Sequence, residues 1–247
     1  MSDMLMSDVE QTEAEYLAAY EPGDFPRPSV TVDLVIFTIL DRDLKVLLIR
    51  RREHPFKGAL ALPGGFLRVS DDADQGEDLE AAAHRELAEE TGLPLGSVWL
   101  NQLGAFGAPG RDPRLRVITV AWFALVRPDL APLVEAGSDA ADAGWFSLTE
   151  LAGEPLAFDH RGILDAAVAR LERDIEHTDI GYELVSRRFT ITELRSVNEV
   201  ILGRKLDPGN FRRSFQRLIE DGVVVETPGE RYTGRRPAKV YRFKGRR

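Results

Sequence analysis

Glu86, Glu89 and Glu90 are the residues that point most directly to chemistry. They follow Arg85 in a run that holds no Gly or Pro until Gly92. Residues at i, i+3 and i+4 share one face of a helix. Three carboxylates on one face repel each other unless cations gather them, and Mg²⁺ or Mn²⁺ prefer oxygen ligands of this kind. The bland alternative is a solvated acidic patch on a surface helix. Two neighbours favour a site: Arg85 itself, and the upstream pair Gly64-Gly65, which permits close backbone approach. Arg50, Arg51 and Arg52 lie between a strand and that glycine loop. They are either guanidinium contacts for a diphosphate or a charged turn. Phe56, Phe66 and Phe106 read first as core or loop packing, with contact to a nucleobase as the alternative, and His54 and His160 read as structural.

A second chemistry lies in the tail. Pro208 to Glu220 reads as a helix whose polar positions are Asn210, Arg212, Arg213 and Arg217. Arg and Asn suit base edges, and Arg and Lys suit phosphates. Lys205 stands near the preceding turn, and Arg231, Arg235, Arg236 and Lys239 fall in a following hairpin. Taken singly, any of these is an ordinary solvated cation. Together they read as a surface for double-stranded DNA.

Composition supports two unlike parts. The chain has 247 residues, a formal net charge of -9 and no cysteine. Without cysteine there is no disulfide framework, thiolate zinc site or thiol nucleophile. The charge divides unevenly: residues 1–180 carry a net of -17, and residues 181–247 a net of +8. A basic tail on an acidic body attracts a polyanion at one end only. No run of about 18 apolar residues is present, so no membrane partner is expected. The N-terminus lacks the order of a signal peptide, and the expected location is cytoplasmic.

The elements that must position these groups follow from pattern. Residues 1–28 read as an arm, with one weak helix over Met4 to Tyr20 before Pro22, Pro26 and Pro28. Val30 to Leu40 is an apolar strand with Asp33 as its odd polar residue, and Asp41 to Leu44 turns it into a second strand, Lys45 to Ile49. Leu79 to Thr91 is helical. Val117 to Val126 and Trp145 to Leu148 are strands, and Asp159 to His177 is a helix. Gln102 to Arg116 reads as a loop flanking a ligand, and Asp129 to Ala143 as a connection. The mixture predicts an α/β domain over 29–158, with 159–180 as its C-terminal helix and linker. In the tail, Thr192 to Leu202 and Pro208 to Glu220 are helices. The second has Phe211, Phe215, Leu218 and Ile219 on one face. Val223 to Val225, a turn over Thr227 to Pro237, and Val240 to Phe243 then form a hairpin. Helix, turn, helix, hairpin over 181–247 is the order of a winged helix-turn-helix module.

Leu62 to Leu93 resembles the Nudix box at Gly65, Glu77, Arg85, Glu86, Leu87, Glu89, Glu90, Gly92 and Leu93. The resemblance implies an α/β/α sandwich with a mixed sheet. It also implies that Glu86, Glu89, Glu90 and Glu77 are metal ligands for Mg²⁺ or Mn²⁺, and that Arg85 orients a glutamate. One departure stands out. The family pattern has five residues between the glycine and the first glutamate, whereas eleven separate Gly65 from Glu77. The extra residues, roughly Ser70 to Gln75, either misplace Glu77 or bulge outward. The tail segments Arg188 to Glu226 and Gly234 to Phe243, with Trp145 to Leu164, resemble the Nudix-related transcriptional regulators of NAD metabolism. That likeness implies a homodimeric repressor on a two-fold DNA operator, with ADP-ribose or a related nucleotide as effector bound near Arg50 to Arg52, Gly64 and Gly65. The rival expectation is a metal-dependent ADP-ribose or nucleotide-sugar pyrophosphatase, because the glutamates are intact. Whether hydrolysis occurs is left open by the sequence.

Overall fold

The computed structural model describes residues 11–70, 75–93, 96, 98–134, 143–232 and 237–244. The arm holds a short helix, α1 (Glu13–Ala19), with no buried residue. The remainder of the expected arm helix, up to residue 10, lies outside the described residues.

The first domain is built on β1 (Ser29–Leu40). Its alternate side chains enter two different cores. Val32, Leu34 and Ile36 pack on one face of the sheet. Val35, Phe37 and Ile39 pack on the other. A strand buried on both faces must be apolar along its whole length, which explains the near-continuous run. β2 (Asp43–Arg50) returns antiparallel after a turn in which Asp41 and Arg42 both have positive φ. Hairpins of this kind match the strand twist. The strand therefore resumes at Asp43, two residues earlier than expected.

The glycine loop carries two short strands, β3 (Leu60–Ala61) and β4 (Gly64–Phe66), where its glycines and prolines predict loop. Next come α2 (Leu79–Thr91), β5 (Trp99–Phe106), β6 (Val117–Leu125) and β7 (Gly144–Ser147). β5 corrects the expected loop: Gln102 to Phe106 is strand, paired with β6. Its Gly104 and polar residues masked a half-exposed edge strand. The sheet order is β3-β2-β1-β6-β5, with β4 on β1 and β7 on β2. β1 and β6 run parallel.

α2 covers one sheet face through Ala82, Ala83 and Leu87. α3 (His160–His177) covers the other through Ile163, Leu164, Ala167 and Leu171. This is the expected α/β/α sandwich.

The tail folds as α4 (Ile191–Ile201), α5 (Pro208–Glu220), β8 (Val224–Tyr232) and β9 (Pro237–Phe243). Thr190 and Glu193 form a reciprocal capping box at α4. Asp207 caps α5, with Pro208 in its first turn. The strands pair antiparallel and run further than expected, so Thr227 to Tyr232 belongs to β8. Phe189, Leu194, Val197, Ile201, Phe215, Val224 and Phe243 form the core of this winged helix.

That core is continuous with the α3 face of the sheet. Leu171 and Ile175 of α3, with Ile180 and Leu184 of the following 3₁₀ turn, join the two. A Cβ on Gly181 would lie 2.7 Å from Ile175 Cδ1 and 3.3 Å from Asn198 Nδ2. A side chain there would have to displace the tip of Ile175, so glycine lets α3 and α4 approach without that shift. Ile175→Ala is expected to cost about 3 kcal/mol and to lower the stability of both domains in one denaturant transition. Two separated transitions would show that the cores are independent.

Candidate functional site

The site is assembled where β4, α2 and the 107–116 loop meet the start of α3. Gly64 and Gly65 make the first approach possible. A Cβ on Gly64 would fall 2.2 Å from the Val32 carbonyl oxygen, and its φ is +150°. A Cβ on Gly65 would fall 2.3 Å from Glu86 Oε1. Only glycines let β4 pair with β1 and let Glu86 reach the β4 backbone.

Arg85 organises the carboxylates. Its Nε and Nη2 donate to the two oxygens of Glu77 at 2.9 and 2.6 Å. Its Nη1 donates to Glu86 Oε1 at 2.6 Å and Glu89 Oε2 at 3.1 Å. Nη2 also reaches the Phe66 carbonyl at 3.3 Å. Arg68 holds the other Glu89 oxygen at 3.0 Å. The Arg85 fork drives the Glu77 carboxyl down to about 2. Burial pushes Glu86 up, although Arg85 pulls the other way. Glu86 is only 7% exposed, whereas Glu89 faces solvent and Glu90 is half-buried.

The insertion leaves this arrangement intact. Val69 and Gly76 pair as an isolated bridge, and Ser70 N donates to the Gln75 carbonyl at 3.2 Å. Glu77 N then donates to the Arg68 carbonyl at 3.1 Å, and Arg68 N donates to Glu77 Oε1 at 2.8 Å. The extra residues leave and re-enter the fold at one closed neck, so Glu77 is delivered to Arg85. Residues 71–74, with Asp71, Asp72 and Asp74, lie outside the described residues.

Glu86, Glu89 and Glu90 lie within two turns of one helix and offer hard oxygens suited to a divalent cation. Among the described residues, no three acidic or histidine side chains converge as a metal-ligand group. In this arrangement Arg85 and Arg68 share the charge of Glu77, Glu86 and Glu89 instead.

Beside the glutamates stands an aromatic and cationic cluster. The Phe158 ring meets the Phe56 ring edge-on at 4.9 Å. The Arg51 guanidinium lies 4.8 Å from the Phe158 centroid. Arg114 lies 5.5 Å from the Phe66 ring and 5.9 Å from Phe158. Phe56 and Phe66 are 44% and 43% exposed, so their ring faces remain open to a ligand. Phe158 has φ +54°, a costly conformation for a bulky residue. Asp112 fixes Arg114 through two bonds of 3.0 and 2.7 Å. Burial and the charge of Arg114 lower Arg51. Two guanidiniums gathered on one ring are chemically suited to a diphosphate, and exposed rings to a base.

The sequence-predicted contacts divide. Arg51 joins the cluster, and its Nε also donates to the Pro55 carbonyl at 2.7 Å. Arg50 is turned to the Gly58 carbonyl at 2.7 Å, and Arg52 is exposed. Phe106 packs against the core instead of the cluster. Arg111, Asp112, Arg114 and Phe158 were missed. Arg and Asp in a Gly/Pro-rich loop read as solvated turn residues, yet Arg111 is 9% exposed. Asp33, the odd polar residue of β1, accepts from Arg111 Nη2 at 3.1 Å and lies 3.8 Å from His160 Nε2. His160 is structural: its Nδ1 accepts from Leu62 N at 2.9 Å, and burial lowers its basicity.

In the tail, α5 turns Phe215 inward and leaves Asn210, Arg212, Arg213 and Arg217 exposed. Asn210 accepts from Arg213. Lys205 is exposed and pairs with Glu199 at 3.2 Å. The hairpin cations are more engaged. Arg231 bridges Glu193 at 2.8 Å and the Arg188 carbonyl at 3.0 Å, tying β8 to the α4 cap. Lys239 pairs with Glu226 at 2.9 Å. Arg235 and Arg236 lie outside the described residues.

Comparison with known proteins agrees with this division. Residues 30–167 match the NUDIX domain family, and residues 181–243 match the NrtR DNA-binding winged helix domain. The chain is 39% identical over 232 residues to an ADPR responsive transcriptional repressor, NtrR, of Acinetobacter baylyi, covering 94% of this chain and 88% of that protein. It is 42% identical over 137 residues to an ADP-ribose pyrophosphatase of Methanocaldococcus jannaschii, covering 56% of this chain and 71% of that protein. Shewanella oneidensis NrtR complexed with a 27mer DNA superposes with a TM-score of 0.75 at 35% identity, covering 87% of this chain and 93% of that one.

Arg85→Ala would leave Glu77 and Glu86 without a guanidinium partner and Glu89 with Arg68 alone. It is expected to destabilise the fold by about 3 kcal/mol at neutral pH. In the wild type, the Glu77 contribution is present above the ordinary carboxylate value of 4.5 and is lost as pH falls towards about 2. The variant should lose that acid dependence, as read from denaturant midpoints between pH 5 and about 2.

A Nudix body whose glutamates are gathered on Arg85, continuous in its core with a winged helix of basic exposed face, places this chain in the NrtR family of Nudix-related transcriptional regulators.

Proposed function

We propose that this protein is a cytoplasmic, homodimeric DNA-binding repressor of NAD-related genes, with ADP-ribose as its effector. The observation that carries the reading is the likeness, across both domains, to a relative complexed with DNA. The Nudix domain of that same relative is known in complex with ADP-ribose, and this chain is 38% identical to it.

The chemistry supports each half. α5 offers Asn210, Arg212, Arg213 and Arg217 to a major groove, where Arg pairs with guanine and Asn with adenine. Two copies would place two such helices on a two-fold site. In the body, Arg51 and Arg114 would receive the diphosphate, and Phe56, Phe66 and Phe158 would stack the base. The acidic body keeps the rest of the surface away from the duplex, so binding is confined to the tail.

A second reading is favoured by one observation: Glu77 remains locked to Arg85 despite the insertion. Glu86, Glu89 and Glu90, with Glu77, would then hold Mg²⁺ or Mn²⁺, which would neutralise and polarise a bound diphosphate. On this reading ADP-ribose is cleaved as well as sensed. Release of AMP in the presence of Mg²⁺, abolished by Glu89→Gln, supports it. Turnover that survives Glu89→Gln places the activity elsewhere.

Fluorescence anisotropy on a duplex selected from random sequence by the full chain tests the main reading. Saturating ADP-ribose should weaken duplex affinity about tenfold. Arg213→Ala and Arg217→Ala should each cost about 1–3 kcal/mol if they read bases. An affinity unchanged by ADP-ribose contradicts the effector role.

A further inference from the structure

We propose that the Arg111–Asp159 ion pair is the latch through which the ligand pocket moves the DNA-binding domain. This rests on the reading that the effector engages Arg114 in the Nudix domain.

Arg111 and Arg114 lie on the same short loop, between β5 and β6. Arg114 turns outward, over the exposed Phe66 and against Phe158. Arg111 turns inward. Its Nε and Nη2 take both oxygens of Asp159 at 2.9 and 2.7 Å, and Nη2 also takes Asp33 at 3.1 Å. A buried guanidinium cannot leave its carboxylates without a large desolvation cost. Any shift of the loop is therefore passed to Asp159 or to Asp33. Asp33 is anchored in the central strand, with partners on both sides. Asp159 is the residue before α3, and Phe158, directly before it, carries the φ +54° backbone. Asp159 is the softer of the two partners.

α3 is the element that can carry such a shift. Its first half packs on the sheet through Ile163, Leu164 and Ala167, and its last turns carry Leu171 and Ile175 into the winged-helix core. Its eighteen residues reach about 27 Å. At its far end Ile175 touches the Gly181–Asn198 contact that seats α4, and Glu176 pairs with Arg204, just before α5, at 2.7 Å. The winged helix also has room to move. A cavity of about 730 Å³ separates α4, at Arg195 and Glu199, from the β1–β2 turn at Arg42 and Asp43 and from Val168 and Glu172 of α3. A domain joined to the body mainly through α3, and bordered by this open cleft, can shift when that helix shifts.

Arg111 and Asp159 are thus positioning residues, acting on DNA through α3 and not by contact. The test uses the full-length protein and three measurements: ADP-ribose affinity by calorimetry, duplex affinity without ligand, and duplex affinity at saturating ADP-ribose. Asp159→Asn keeps shape and volume at a residue that is partly exposed. It should bind ADP-ribose and free duplex as the wild type does, while the ligand effect on duplex affinity falls from about tenfold to about twofold or less. Asp159→Glu, which restores the carboxylate, should recover part of the effect. Arg111→Lys keeps the buried charge but loses the two-pronged contact, and should reproduce the loss if Asp159→Asn proves unstable. A full ligand effect in both Asp159→Asn and Arg111→Lys overturns the latch and leaves the effector reading standing. A fall in ADP-ribose affinity as large as the fall in response also overturns it, since Asp159 would then act in the pocket. A wild type that ignores ADP-ribose overturns the effector reading itself, and the latch with it.

Discussion

Helix α3 must be core to two domains at once, and the rest of the molecule is arranged around that constraint. One stretch of its apolar face closes the sheet, and the next closes the winged helix. A helix in that position cannot slide for one domain without sliding for the other, because close-packed interiors are not continuously deformable. Gly181 is a local consequence, since a side chain there would press on Ile175 of α3 and Asn198 of α4. The two domains also divide the charge, net -17 before Gly181 and +8 from it. A single net value of -9 describes neither surface.

The two cationic centres of the Nudix domain do different work. Arg85 gathers Glu77, Glu86 and Glu89 into a compact net at the helix surface. Within that net Glu77 is located by the guanidinium and by the Arg68 backbone, not by loop length. Arg111 lies deeper, between Asp33 of β1 and Asp159 at the start of α3. One centre holds the glutamates together, and the other joins the 107–116 loop to the shared helix.

Periodicity exposed most of the fold, and chemistry exposed half of the site. α2 and α5 were legible because their breakers and caps are local: Gly92 stops one, and Asp207-Pro208 starts the other. β5 was not, because an edge strand with Gly104 and exposed polar residues carries little alternation. The glutamate motif was legible as spacing along one helix. The meeting of Arg114 with Phe158 was not, nor was the Arg111–Asp159 pair behind it, since their members are brought together from distant segments. Asp33 was visible as a polar residue in an apolar strand, which is the signature of a buried partner, but its partner was not nameable. In the tail, cations read as one basic surface turn out to be of two kinds. Arg212 and Arg217 are exposed on α5, whereas Arg231 fastens β8 to the α4 cap.

The central claim is that ligand in the Nudix domain repositions α5 relative to that domain through α3. The absence of cysteine makes a direct distance measurement simple. Spin labels at Asn101→Cys on β5 and Gln216→Cys on α5, both exposed positions, report this separation within one chain by pulsed electron resonance when the labelled protein is diluted with excess unlabelled protein. A distance distribution that shifts on addition of ADP-ribose is the result the account predicts. An identical distribution with and without saturating ADP-ribose would contradict it.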